Sequence, residues 1–156
     1  MKTRFLAGIA AAGLASIGAY AWAKGGPVAS ANLFPYSDAQ AVARGAELYT
    51  ENCAACHGAS LEGQADWRVR NENGRMPAPP HDETGHTWHH PDVQLFQIVK
   101  YGTAALVGNG YQSDMAAYGD VLSDRQILEV MAYIKSTWPE DIIERHNAMN
   151  ADVAVQ

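Results

Sequence analysis

Apolar positions along the chain fall into one unbroken run and four shorter stretches with helical spacing. The run, Phe5 to Ala23, is uncharged and rich in Ala, Gly, Leu and Ile. The first periodic stretch, Asp38 to about Asn52, carries Ala41, Val42, Gly45, Leu48 and Tyr49 at the spacing of one helix face. Ser37 reads as its N-cap, with Gln40 at the capping-box position. A second predicted helix, Asp92 to Lys100, has Val93, Phe96, Ile98 and Val99 apolar and ends at Tyr101 and Gly102. A third is capped by Ser123 and boxed by Gln126; Ile127, Val130, Met131 and Ile134 form its apolar stripe, Tyr133 joins them, and Pro139 stops it after Trp138. Residues 140–156 read as a short, partly amphipathic helix around Ile142, Ile143 and Met149 with a frayed end.

The segments between are of different kinds. Residues 24–36 are rich in Gly, Pro, Ser and Ala without a period and read as a linker or a poorly ordered arm. Residues 58–74 are polar and turn-rich. Met76-Pro77-Ala78-Pro79-Pro80 is extended and stiff, since each Pro fixes its own φ and restrains its predecessor. Residues 81–91 hold four of the six histidines, and residues 108–118 form a loop with Met115 near its centre. No strand alternation, internal repeat or nucleotide-binding glycine motif occurs.

Composition sharpens two points. With 156 residues, 47 % of them apolar, there is room for one compact domain plus appendages. The basic start (Lys2, Arg4), the apolar run and Ala21-Trp22-Ala23 have the form of a secretory signal with cleavage after Ala23. The rival is an uncleaved anchor, because a run of this length spans roughly 28 Å as a helix, close to the hydrocarbon thickness. Both place the body outside the cytoplasm. The net charge of −6 becomes about −8 once residues 1–23 are removed. An acidic surface argues against nucleic acid and anionic membranes as partners and suits encounter with a basic docking patch.

The candidate chemistry lies at Cys53-Ala54-Ala55-Cys56-His57, which contains the two cysteines of the chain. Cys-x-x-Cys-His reads as a c-type haem attachment site. Two thiols at this spacing can add across the two vinyl groups of one porphyrin, and the next imidazole is the usual proximal iron ligand. A disulfide redox pair is the alternative, but the βαβ surroundings expected of one are missing. Gly45 inside its helix costs about 1 kcal/mol relative to Ala, a cost that close approach of a second helix would offset.

Gly45-x-x-x-Tyr49-x-x-x-Cys53-x-x-Cys56-His57-Gly58, a later loop Met and Val130-x-x-Tyr133 together resemble the class I cytochrome c family over residues 37–138. The resemblance implies an all-α fold wrapped around one covalent haem c. It also implies a crossing of the first and last helices, with Gly45 and Tyr49 facing Val130 and Tyr133. In the family the sixth ligand is a loop Met between the middle and last helices, and of the five methionines Met115 occupies that place. Ala116 stands where the family usually has Pro, and Tyr118 where its turn ends in Phe, so the loop is less restrained. The family's Pro carbonyl that accepts from the ligand imidazole matches Pro79, with Pro80 next. Trp67, Trp88, Arg68, Arg70 and Arg75 are candidate donors to the haem propionates, Trp88 and Arg75 foremost.

His86-x-x-His89-His90, with His81, has a spacing that suits Zn or Cu if helical, although only Asp82 and Glu83 lie nearby to complete a set. The alternatives are a polar loop beside the haem edge and a histidine in place of Met115 as iron ligand. The whole reads as a monohaem electron carrier of the bacterial periplasm, soluble or tethered, serving redox partner proteins and acting on no organic substrate. Rival readings are a haem subunit held permanently in a dehydrogenase complex and a metal-binding or sensor protein using the histidine cluster.

Overall fold

The computed structural model describes residues 32–154; the expected signal or anchor at 1–23 lies outside them, as does most of the 24–36 linker. The described residues are helical, with no strand among them. In chain order they form α1 (Ala39–Asn52), α2 (Ala54–His57), a 3-10 turn (Thr87–His89), α3 (Asp92–Tyr101), α4 (Thr103–Val107), α5 (Asp124–Ser136) and α6 (Glu140–Ala154). No helix among the described residues is long and apolar enough to cross a membrane.

The crossing of α1 and α5 organises the core. A Cβ on Gly45 would fall 1.9 Å from the Glu129 carbonyl oxygen, so the two backbones touch where only hydrogen fits. One turn further along α1, Tyr49 meets Tyr133, their ring centroids 5.5 Å apart. Ile127, Val130, Met131 and Ile134 of α5 are buried with Tyr49, Leu95 and Trp138 around them. The Glu129 carboxylate closes one side of the crossing. It accepts from Arg44 Nε at 2.9 Å and Arg125 Nε at 3.0 Å, and the Arg44 bond chiefly holds its pKa below the usual carboxylate value.

Three local expectations need correction. Asp38 caps α1 in place of Ser37: its Oδ1 accepts from the N–H groups of Gln40 and Ala41, and a carboxylate there also complements the helix dipole. Val93 is exposed while Leu95 and Asp92 are buried, because α3 turns the face carrying Asp92 and Leu95 inward. The described end of the predicted linker is part of the core, with Phe34 only 2 % exposed. Two short helices were not foreseen. α4 is a single turn and a half bounded by Gly102 and Gly108, too short for a period to register, and α2 is the Cys-x-x-Cys-His motif itself.

Candidate haem site

α1 delivers the chain directly into the motif. The Cys53 N–H continues the helical bonding to Tyr49 O at 2.8 Å, and the N–H groups of Cys56 and His57 both return to Cys53 O. Gly58, at φ +83, ends the turn in a conformation that L side chains rarely adopt. The Tyr49 hydroxyl donates to its carbonyl at 2.8 Å, which ties α1 to the exit of the motif. Both cysteines are free, Cys56 exposed and Cys53 half-buried. Burial, with Cys56 nearby, pushes the Cys53 thiol up to about 11.

His57 is buried and points its Nδ1 at Pro79 O, 2.9 Å away. A carbonyl can only accept, so Nδ1 carries the proton and Nε2 keeps its lone pair. Burial lowers the His57 pKa, against the raising effect of the Pro79 bond. The Pro-rich strip is placed by the loop that follows the motif. Gly63 N–H bonds His57 O at 2.8 Å, Gln64 N–H bonds Ala78 O at 2.9 Å, and His81 N–H bonds Leu61 O at 2.8 Å. A Cβ on Gly63 would lie 2.4 Å from Pro80 N, so strip and loop lie backbone against backbone.

The Met115 loop is tied down independently. Tyr118 N–H and Gly119 N–H bond Val99 O and Lys100 O at 3.0 Å, and the Tyr118 hydroxyl donates to Asn52 O at 2.8 Å. Asn52 immediately precedes Cys53, so this loop and the haem motif share an anchor. Arg75, at the foot of the Pro-rich strip, pairs with Asp114, the neighbour of Met115. Met115 itself is half-buried.

The other candidates separate. His86 stacks on Trp67 with centroids 5.2 Å apart, His90 meets the edge of His86, and His89 stacks on Trp88 at 3.7 Å. Among the described residues no three His, Cys, Asp or Glu side chains assemble as a metal-binding set, so the second-metal expectation for His86, His89 and His90 finds no donor cluster. The rings are committed to aromatic neighbours instead. Trp88 donates its indole N–H to Glu83 O at 3.3 Å. Arg68 lies over the Trp67 ring and Arg70 over Tyr111. Two features were missed from sequence. His81 lies flat against His57, and Asp92, Lys135, His146 and Asn150 form a buried polar cluster; buried charge at residues of ordinary surface type leaves no mark on a hydropathy pattern.

The donor set fits a c-type haem. Two free thiols flank a helical turn, and the adjacent imidazole has one nitrogen committed to a carbonyl and the other left for iron. Arg75 Nε is buried with no acceptor among the described residues, as a propionate-binding group would be before its partner is present.

The family model for cytochrome c matches residues 42–138. Two curated relatives are both cbb3-type cytochrome c oxidase subunits FixP. The protein of Azorhizobium caulinodans is 28 % identical over 94 residues, covering 60 % of this chain and 28 % of that protein. The protein of Sinorhizobium medicae is 27 % identical over 97 residues, covering 62 % and 30 %. The chain thus spans less than a third of the length of these relatives. No solved structure matches significantly. With the family match running from within α1 to the end of the α5 segment, and with the motif, its imidazole and the helix crossing all inside it, the chain belongs to the cytochrome c family.

Proposed function

We propose that this protein is an exported single-electron carrier whose one haem is held by Cys53 and Cys56 and ligated by His57 and Met115. Membership of the family makes covalent haem and electron transfer its chemistry; the ligand pair, the single haem and the extracytoplasmic location are the proposal. When bound, the haem supplies a one-electron iron couple. The observation that carries the reading is the His57 Nδ1 bond to Pro79 O, which fixes the tautomer an iron ligand requires. Shared anchoring of the Met115 loop at Asn52 supports Met115 as the residue whose thioether would be the second protein ligand. His/Met ligation leaves no open position for substrate and raises the potential. Arg75 Nε and the Tyr49 hydroxyl serve the site from its edges, the first as a donor to a propionate, the second by holding the turn after His57.

Absorption spectra of the purified oxidised and reduced protein test this. Met115→Ala is expected to abolish the weak long-wavelength ferric band of Met–iron ligation, whereas Met76→Ala keeps it. Retention of the band in both variants would overturn the assignment of Met115.

A second reading, a haem subunit held in an oxidase complex, is favoured by the relatives, which are named as subunits of a cbb3-type oxidase. Tyr101, Leu106 and Val107 are exposed on α3 and α4, an apolar surface of the kind a permanent partner covers. Co-purification with an integral-membrane oxidase after mild detergent extraction would establish it, and a freely diffusing monomer would count against it.

A further inference from the structure

His81 is not needed for attachment, ligation or the helix crossing, yet it is among the most tightly held residues in the molecule. Its ring lies against that of His57 with centroids 4.0 Å apart and planes 21° apart. Its Nδ1 lies 2.8 Å from Thr87 Oγ1, and the Thr87 hydroxyl in turn donates to Pro80 O at 3.4 Å, so the Thr oxygen accepts from the His81 N–H. The backbone is fixed as firmly: the N–H bonds Leu61 O at 2.8 Å and the carbonyl accepts the Trp138 indole N–H at 2.7 Å. Tyr49 meets the ring edge-on at 6.4 Å. Loop, Pro-rich strip, 3-10 turn, α1 and the residue that precedes Pro139 all contribute to placing one ring.

We propose that His81 is a positioning residue that sets the rotation of the His57 imidazole about its bond to the haem iron, and thereby the electronic asymmetry and potential of the haem. The inference rests on the reading of His57 as iron ligand. The covalent tether at Cγ and the Nδ1 bond to Pro79 O both hold the ring at the edge opposite Nε2, so rotation about the line through Nε2 is the motion they restrain least. A flat neighbour at 4.0 Å removes that freedom, because a quarter turn would drive the edge of His57 into the face of His81. The plane of an axial imidazole decides which iron d orbital its π system meets, so a fixed plane fixes the splitting of those orbitals. Such outer contacts orient a ligand and tune the metal it binds.

The test compares covalently loaded, full-chain protein with its His81→Leu, His81→Phe and Thr87→Val variants, read by electron paramagnetic resonance of the ferric state and by midpoint potential. His81→Leu, which removes the flat ring, is expected to change the g-values and shift the potential while covalent attachment is retained. His81→Phe, which keeps a flat ring, is expected to restore both towards wild type. Thr87→Val, which frees the ring without removing it, is expected to broaden the g-value distribution, and it decides the matter if His81→Leu does not accumulate. A wild-type spectrum of an imidazole-ligated haem with Thr87→Val and any loaded His81 variant superimposable on it overturns this inference alone. A wild-type protein lacking that spectrum overturns the ligand reading, and this inference with it.

Discussion

His57 and His146 are both buried, and each points one ring nitrogen at a backbone carbonyl 2.9 Å away, Pro79 O for His57 and His90 O for His146. They differ in what becomes of the second nitrogen. His57 Nε2 is left with its lone pair, in a turn bearing two free thiols. His146 donates through Nε2, so its Nδ1 faces Asn150 Nδ2 at 3.4 Å, and the ring is closed in by Asp92 and Lys135. Around His146 the polar atoms of Asp92, Lys135 and Asn150 are answered by protein, and the one orphan there among the described residues is an acceptor, Asn147 Oδ1. Asp92 Oδ2 accepts from Leu33 N–H at 2.7 Å, its Oδ1 accepts from Asn150 at 2.9 Å, and Lys135 Nζ lies 3.9 Å away and 4.6 Å from the Tyr36 ring centroid. One region leaves an imidazole nitrogen and two thiols without a protein partner among the described residues, whereas the other holds the arm, α3, α5 and α6 together. A satisfied buried network rigidifies; an unanswered buried donor points to something absent.

The comparison breaks most readily at Asp92. Asp92→Ala strands a buried ammonium and frees the arm, and it should cost about 3–5 kcal/mol in urea unfolding. The haem spectrum of the folded protein should remain as in wild type. A change in that spectrum would show that the two regions are coupled.

A smaller effect is expected from pH. Burial pushes Lys135 down to about 8 from its ordinary 10.5. Between those values the unfolded chain binds the proton more firmly, so the Lys135 contribution to stability should rise as pH increases from about 8 to 10.5 and then level off. The groups facing Lys135 across this window are Asp92, His146, Asn32 and Tyr36. Replacing it by Met should flatten the rise; a slope that persists in Lys135→Met places its origin elsewhere.

The smallest expected effect is on the acid side. Burial, reinforced by Lys135, lowers the His146 pKa below 6.5. Its contribution to stability should therefore be intact above pH 6.5 and decline as pH falls through that value towards the folded pKa. Proton NMR of the ring checks this: the neutral Nε2–H form should persist at pH 6.5, and half-protonation there would contradict the burial argument.

Legibility followed the range of the interaction. α5 reads from Ser123 to Pro139 because cap, box, apolar stripe and stop lie within one stretch of chain. The crossing at Gly45 was foreshadowed by a glycine that a helix interior does not favour. For Trp88 the sequence offered a donor but not its partner, since an indole N–H suits a propionate and a nearby carbonyl equally, and in this structure it faces Glu83 O, five residues away. α6 showed Ile142 and Ile143 but not that His146 and Asn150 share its buried side, for their residue types are those of a surface.

By itself, the sequence determined the local chemistry: two thiols and an imidazole within five residues, helices whose faces repeat at a regular spacing, and a stiff strip of prolines. Their meaning depends on neighbours along the chain, so order alone carries it. Only the tertiary structure decided which side chains meet across separations of 24 to 58 positions in the sequence: His81 flat on His57, and Asp92 enclosed by Lys135, His146 and Asn150. Those contacts come from the way the strip and α6 fold back on the α1–α5 crossing. Close packing selects one such arrangement from many that the same pattern of polar and apolar residues would allow.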